Sequence, residues 1–306
     1  MKTIIPLRPH ANHKIWGGDL LAKLKGLSVK QGEDPIGETW EVSAHSDGPS
    51  VCEYGKLNEF SNLTEIPYLI KLIETSDNLS VQVHPNDDFA STHEKQKGKS
   101  ECWVILDASP GEGIYLGVSK TTSKEDFEKA LERKEDLSKL MTFYPVKRGD
   151  FFYVPAGTAH AIGKGVFLAE VQQCSDITYR VWDWNRVDEQ GNSRELHIDK
   201  AMQVIQFGEE FNYPVNFKIQ NNILEHREIK LLELNDFELY SYSLKNEEVK
   251  ISFNQRFSSI FVLSGNVTIS RGEETLEMST YQAALLPLGE NQQVTINGEG
   301  NFLFVK

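Results

Sequence analysis

Twelve consecutive residues constrain this chain more than any other stretch: Gly149-Asp150-Phe151-Phe152-Tyr153-Val154-Pro155-Ala156-Gly157-Thr158-Ala159-His160. Gly149-Asp150 reads as a turn, because glycine adopts backbone angles that other residues avoid and aspartate bonds its own backbone. Phe151 to Val154 is a short apolar and aromatic run of the kind that buried strands use. Pro155 and Gly157 end that strand, so His160 resumes a sheet at a fixed offset. The arrangement aims one imidazole into a barrel. Taken alone it reads better as an ordinary strand with a hydrogen-bonded histidine, and partners for His160 have to decide.

Polar residues at strand spacing supply them. In Leu79–Pro85, a period of two puts Ser80, Gln82 and His84 on one face and Val81 and Val83 on the other, as in a strand lining a polar cavity. In Lys99–Leu106 the residues Lys99, Glu101 and Trp103 share a face, and a carboxylate heading an apolar strand is costly to bury without a cation or metal. Val166–Gln173 sets Glu170 and Gln172 opposite Phe167, Ala169 and Val171. Tyr68–Glu74 holds Lys71 alone in an apolar run, which fits an edge strand or a wet cavity. Ser175–Arg186 mixes acids, two arginines and two tryptophans without a clean period and reads as a functional loop. Gln82, His84, Glu101 and His160 together offer two imidazoles, a carboxylate and an amide oxygen. Such a set suits Zn, Fe or Mn with positions left open for water or substrate.

The remainder reads as mainly β. Ile36 to His45 alternates as a strand, and Asp19 is placed to cap a short helix through Lys25. Residues 121–145 predict one or two helices, with an N-cap at Thr122-Ser123 and apolar residues at helical spacing; 195–207 predicts another short helix. Residues 208–222 form a linker, which places domains at 1–215 and 216–306. Beyond the linker, Phe261–Ile269 and Val294–Val305 read as hairpins, the second turning at Asn297-Gly298. Tyr281–Gln292 is a worn copy of the opening stretch that keeps Pro-x-Gly but has Gln292 in the place of His160. Any metal therefore belongs to the first half.

Composition narrows the partners. At 306 residues the chain can build two ordinary domains or one large one, and a net charge of −13 argues against nucleic acid and anionic membranes. Local cations can still hold a phosphorylated small molecule. Cys52, Cys102 and Cys174 form no C-x-x-C pair, the N-terminus breaks at Pro6 before a signal sequence forms, and no apolar run reaches membrane-spanning length. A cytoplasmic protein with free thiols is expected.

The spacing G-x5-P-x-G-x2-H at Gly149, Pro155, Gly157 and His160 resembles the second motif of the cupin barrel. Gln82-Val83-His84 stands where many cupins have His-x-His. With Ser80–Pro85, Gly98–Trp103, Pro155–His160, Ser175–Arg180, Trp16-Gly17-Gly18 and Gly37–Glu41, residues 16 to about 200 resemble type I mannose-6-phosphate isomerases of the short bacterial form. The resemblance implies two cupin (jelly-roll) barrels with a small helical insertion, 1–215 catalytic and 216–306 degenerate. It implies one Zn2+ per chain on Gln82, His84, Glu101 and His160. Lys71 and Lys99 match the family's active-site lysines, and Ser80 matches a position on the phosphate side of the pocket. Asp176 and Arg180 match the acid and arginine of the catalytic loop, and Glu170 matches a further pocket carboxylate. The implied reaction interconverts mannose 6-phosphate and fructose 6-phosphate through an enediol, in a monomer or weak homodimer.

That reaction needs a base for a weak carbon acid, a group to stabilise the oxyanion and a cation for the phosphate. Glu170, Asp176 and a lysine of lowered pKa all stand as candidates for the base. Two other functions fit the donor set: a metal-dependent cupin dioxygenase, and a sugar-binding bicupin without turnover. Gln82 in a ligand position and the surplus of phosphate-suited cations weigh against the first. Retention of the donors in one half and their loss from the other weigh against the second.

Overall fold

A computed structural model describes residues 2–60, 66–187, 191–253, 257–288 and 292–306. The chain is mainly β and forms two compact units, neither of them a single run of sequence. One consists of Met1–Asn12, Thr39–Leu72 and Asn221–Lys306, the other of His13–Glu38 and Ile73–Gln220. Residues 221–306 thus fold with two earlier stretches, a division unlike a cut near 215. The 208–222 linker is not a loose tether. It contains a short helix, Glu209–Asn212, and a 3-10 turn, Pro214–Phe217, whose Phe217 is fully buried in the second unit's core. Among the described residues no helix is long and apolar enough to cross a membrane.

In the second unit a five-stranded sheet runs in the order Met141–Pro145, Gly113–Val118, His160–Ile162, Val81–Val83, Tyr179–Trp182, and each pairing is antiparallel. A six-stranded sheet carries Phe151–Val154, Glu101–Ala108 and Val166–Gln173 side by side. Ile114, Leu116 and Ile162 of the first sheet form one apolar core with Trp103, Ile105, Phe152 and Leu168 of the second. The five-stranded sheet's opposite face carries Val81, Val83, Ala161 and Val181. These pack on apolar residues of three helices, Asp87–His93, Lys124–Glu132 and Ile198–Val204. Helices therefore cover the valine side and leave the polar side of Val81–Val83 facing inward.

Local chemistry accounts for most element boundaries. Lys124–Glu132 starts with a reciprocal capping box between Ser123 and Asp126. The helical region stops short of residue 145, however. Leu137–Leu140 is one 3-10 turn and Met141–Pro145 is a strand paired with Gly113–Val118, where Thr142, Phe143 and Tyr144 suit a pleated surface. Leu137 and Met141 still reach the helix-side core, so their spacing reported burial rather than helix. Asp19 precedes the helix Leu20–Lys25, but its side chain makes no capping bond. Lys71 does not guard an edge: it is 3% exposed in a strand with neighbours on both sides, and its ammonium lies 4.4 Å from the centre of the Trp40 ring.

The first unit is built on three long strands, Glu238–Ser252, Phe257–Arg271 and Gln293–Val305. The two hairpins expected within Phe261–Ile269 and Val294–Val305 are not there. Asn297 and Gly298 pair with Thr268 and Val267 on one side and with Glu248 and Glu247 on the other. The interruption in alternation that resembles a turn is a set of bulges. Tyr242 and Leu244 face the same core as Val249 and Ile251, because a bulge between Lys245 and Glu247 reverses the parity. A bulge between Val262 and Ser264 does the same for Ile260 and Val262 against Val267 and Ile269. The tight hairpin of this unit falls instead at Gly272-Glu273, between Arg271 and Glu274. Of the worn repeat, Ala283–Pro287 is a strand, whereas Gly289, Glu290 and Asn291 lie outside the described residues.

The bulged strands make a prediction. Gly298 has φ +131, and a Cβ there would meet the Asn266 carbonyl oxygen at 2.5 Å, whereas Gly272 has φ +61 and open space around it. Gly298→Ala should cost more than ~2 kcal/mol of stability and Gly272→Asn less than ~1 kcal/mol. Denaturant unfolding checks this, and equal losses would contradict the continuous bulged strands.

Candidate metal centre

Register assembles the site from both sheets of the second unit. Across the five-stranded sheet, Leu116, His160, Gln82 and Arg180 are successive cross-strand partners, so their side chains stand on one face. On the six-stranded sheet, Glu101 lies opposite Gln172 and Trp103 opposite Glu170, all on one face. The Pro-x-Gly break joins the two histidine segments. Gly157, at φ +87, donates its N–H to the His84 carbonyl at 2.8 Å, and Thr158 N–H closes a turn onto Pro155 O. A side chain at 157 would crowd Gln206 and the Val204 carbonyl at about 3 Å. The glycine therefore sets the spacing between His84 and His160.

Both imidazoles are oriented by backbone. His84 Nδ1 donates to Ile177 O at 2.8 Å, and His160 Nδ1 donates to Thr158 O at 2.9 Å. A carbonyl can only accept, so each ring carries its proton on Nδ1 and turns a bare Nε2 inward. The two Nε2 atoms meet Glu101, which is 1% exposed: His84 Nε2 lies 3.2 Å from Oε2 and His160 Nε2 lies 3.3 Å from Oε1. Donor atoms of His84, Glu101 and His160 all fall within 4.8 Å of one another, the one such group among the described residues. Gln82 Nε2 lies 3.3 Å from His160 Nε2, and a half-turn of the amide would present its oxygen instead.

Lys99 completes the cluster. Its ammonium is 2.9 Å from Glu101 Oε2 and 3.1 Å from His84 Nε2, with 4% of the residue exposed. Burial pushes the Lys99 pKa down, but Glu101, then Glu170 and Asp176, outweigh it and hold the ammonium protonated. Burial pushes the Glu101 carboxyl up, but Lys99, His84 and His160 together outweigh it and keep the carboxyl well below the usual carboxylate range. His84 is lowered from 6.5 to about 3, first by burial and then by Lys99, and His160 is lowered mainly by burial. Glu170 is buried and accepts from Trp103 Nε1 at 3.0 Å, Asp176 is exposed, and Ser80 is buried. Lys71 belongs to the other unit. Arg180 is half-buried and donates from Nη1 to Glu195 O at 2.7 Å.

Two polar groups escaped the sequence reading. Gln172 is fully buried and its amide nitrogen donates to the carbonyls of Gln173 and Ser175, bracing the turn before Asp176. Its place on the polar face was the available signal. Asp183 is buried and receives Arg186 and Arg194; the Asp-x-x-Arg spacing at 183 and 186 was the only hint.

The donors fit a metal ion. Neither oxygen of Glu101 has a hydrogen bond of ordinary geometry although both are buried, and two neutral imidazoles aim lone pairs at the same point. Lys99 brings the positive charge that a metal would otherwise supply. Two imidazoles and a carboxylate converging between antiparallel sheets make a candidate metal site. Comparison with known proteins then narrows the class. Residues 4–101 match the profile of the phosphomannose isomerase type I catalytic domain, and 227–306 match the mannose-6-phosphate isomerase cupin domain. The chain is 36% identical to a mannose-6-phosphate isomerase of Streptococcus mutans, with 92% of this chain and 91% of that protein covered. It is 34% identical to mannose-6-phosphate isomerase ManA of Bacillus subtilis, with 92% of each covered. A crystal structure of the mannose 6-phosphate isomerase from Bacillus subtilis superposes over 100% of both chains, with a TM-score of 0.84 and 28% identity. The chain belongs to the type I mannose-6-phosphate isomerase family.

The buried imidazoles predict a pH response of the metal-free protein. A histidine whose pKa falls from 6.5 to about 3 on folding stabilises the fold above pH 6.5, and the contribution is lost as pH falls toward 3. Each pH unit in that window should cost about 1.4 kcal/mol for such a group. Urea unfolding of chelator-treated protein at pH 7.5, 6 and 5 should show this loss, and His84→Asn should flatten it. An unchanged slope in that variant would contradict the buried neutral imidazole.

Proposed function

We propose that the chain interconverts mannose 6-phosphate and fructose 6-phosphate, with one Zn2+ held by His84, Glu101, His160 and the amide oxygen of Gln82. The observation that carries this reading is the joining, in one buried centre, of a neutral two-imidazole and carboxylate donor set with a protonated lysine flanked by two further acids. Relatives named for this activity cover almost the whole chain, which supports the same conclusion.

Aldose–ketose isomerisation moves a proton between C1 and C2 and another between O1 and O2. Bound zinc would supply Lewis acidity or orientation at the sugar oxygens. Lys99, held protonated, suits an oxyanion or a phosphate and is a poor base. The base is then left to Glu170 or Asp176. Arg180 stabilises developing negative charge. Roles for Ser80 and Lys71 at the phosphate are part of the proposal on the family pattern. So are two cupin (jelly-roll) barrels, the second without metal ligands, a cytoplasmic setting and a monomer or weak homodimer. An Fe(II) dioxygenase is disfavoured by Gln82 among the donors and by the surplus of phosphate-suited cations.

A coupled assay of fructose 6-phosphate formation from mannose 6-phosphate tests the proposal. Activity should fall at least a hundredfold after chelation and return with stoichiometric Zn2+. Absent activity, or activity indifferent to chelation, would contradict it and leave the non-catalytic bicupin reading standing.

A further inference from the structure

The strand Tyr179–Trp182 carries Arg180, and the loop after it is organised by one buried carboxylate. Asp183 is 4% exposed. Arg194 grips it with both edges of a fork, Nε to Oδ2 at 2.6 Å and Nη2 to Oδ1, while Arg186 Nη2 shares Oδ1. Arg186 Nη1 continues to Asp77 Oδ2 at 2.9 Å, and Trp184 Nε1 donates to Leu79 O at 2.6 Å. The loop is thereby stapled to the turn that leads into the strand bearing Gln82.

Directly after Arg194 the chain closes on Arg180. Glu195 O accepts from Arg180 Nη1 at 2.7 Å, His197 Nδ1 accepts from the Arg180 backbone N–H at 3.1 Å, and His197 N–H donates to Arg180 O at 2.8 Å. The Nη1 edge of Arg180 is thus committed, while its buried Nε makes no hydrogen bond. Charge adds a second constraint. Burial, then Arg194, depress the Arg180 pKa, Arg186 adds to this, and Asp183 opposes it. Asp183 pairs with two of these guanidiniums and offsets their repulsion with the third.

We propose that Asp183 is a positioning residue for Arg180: it anchors Arg194, and so the Glu195 carbonyl that orients the Arg180 guanidinium on the strand face it shares with Gln82. The inference rests on the isomerase reading, in which Arg180 meets charge that develops in the transition state.

The test is a double-mutant cycle in the mannose 6-phosphate assay with the metal-loaded full chain. Asp183→Asn, close to isosteric, should lower kcat ten- to a hundredfold with KM changed less than threefold. In an Arg180→Lys background, Asp183→Asn should change kcat less than twofold, because the geometry it maintains is already lost. Equal losses in both backgrounds would mark a merely structural residue and overturn the proposal, as would an unchanged kcat in the single variant. Should Asp183→Asn fail to fold, Arg194→Lys keeps the charge, loses the fork and is expected to repeat the pattern. An inactive wild type would remove the isomerase reading and this inference with it, whereas an active wild type without coupling removes the inference alone.

Discussion

The centre depends on a carboxylate placed where carboxylates are expensive. Glu101 is 1% exposed and starts a strand whose next five residues are buried and mostly apolar. An ion in such surroundings is retained only when charge and donors compensate it. Lys99 supplies the charge, and the two imidazoles, held by backbone carbonyls, present lone pairs that want a cation too. Carboxylate and lone pairs alike are better satisfied by a metal than by one another.

The scaffold serves this point. Gly157 ties the His84 and His160 segments through a single backbone bond, and the helices on the valine face of Val81–Val83 keep Gln82 turned inward. In the other unit Tyr242, Phe302, Phe304 and aliphatic side chains pack together between long bulged strands.

What the sequence revealed follows from which patterns are local. Strand period alone placed Ser80, Gln82 and His84 opposite Val81 and Val83, and the Pro-x-Gly spacing placed His160, because both depend on neighbouring residues only. The hairpins were misread because a bulge and a turn both break alternation, and only pairing partners such as Thr268 and Glu248 for Asn297 tell them apart. Met141–Pro145 was misread because burial at Leu137 and Met141 mimics helical spacing. The protons on Nδ1 were illegible, since the carbonyls of Ile177 and Thr158 that fix them carry no side-chain signature. Asp183 was hidden for a related reason: its partner Arg194 is eleven residues away in a stretch without period.

The central claim is that His84, Glu101 and His160 hold a metal ion, and metal content tests it most directly. Elemental analysis of the purified chain, dialysed after loading with Zn2+, should give one equivalent per chain for the wild type. His160→Gln and Glu101→Gln should each retain well under half an equivalent while keeping the wild-type fold by circular dichroism. A wild type that binds no zinc, or a Glu101→Gln variant that retains a full equivalent with undiminished affinity, would contradict the account.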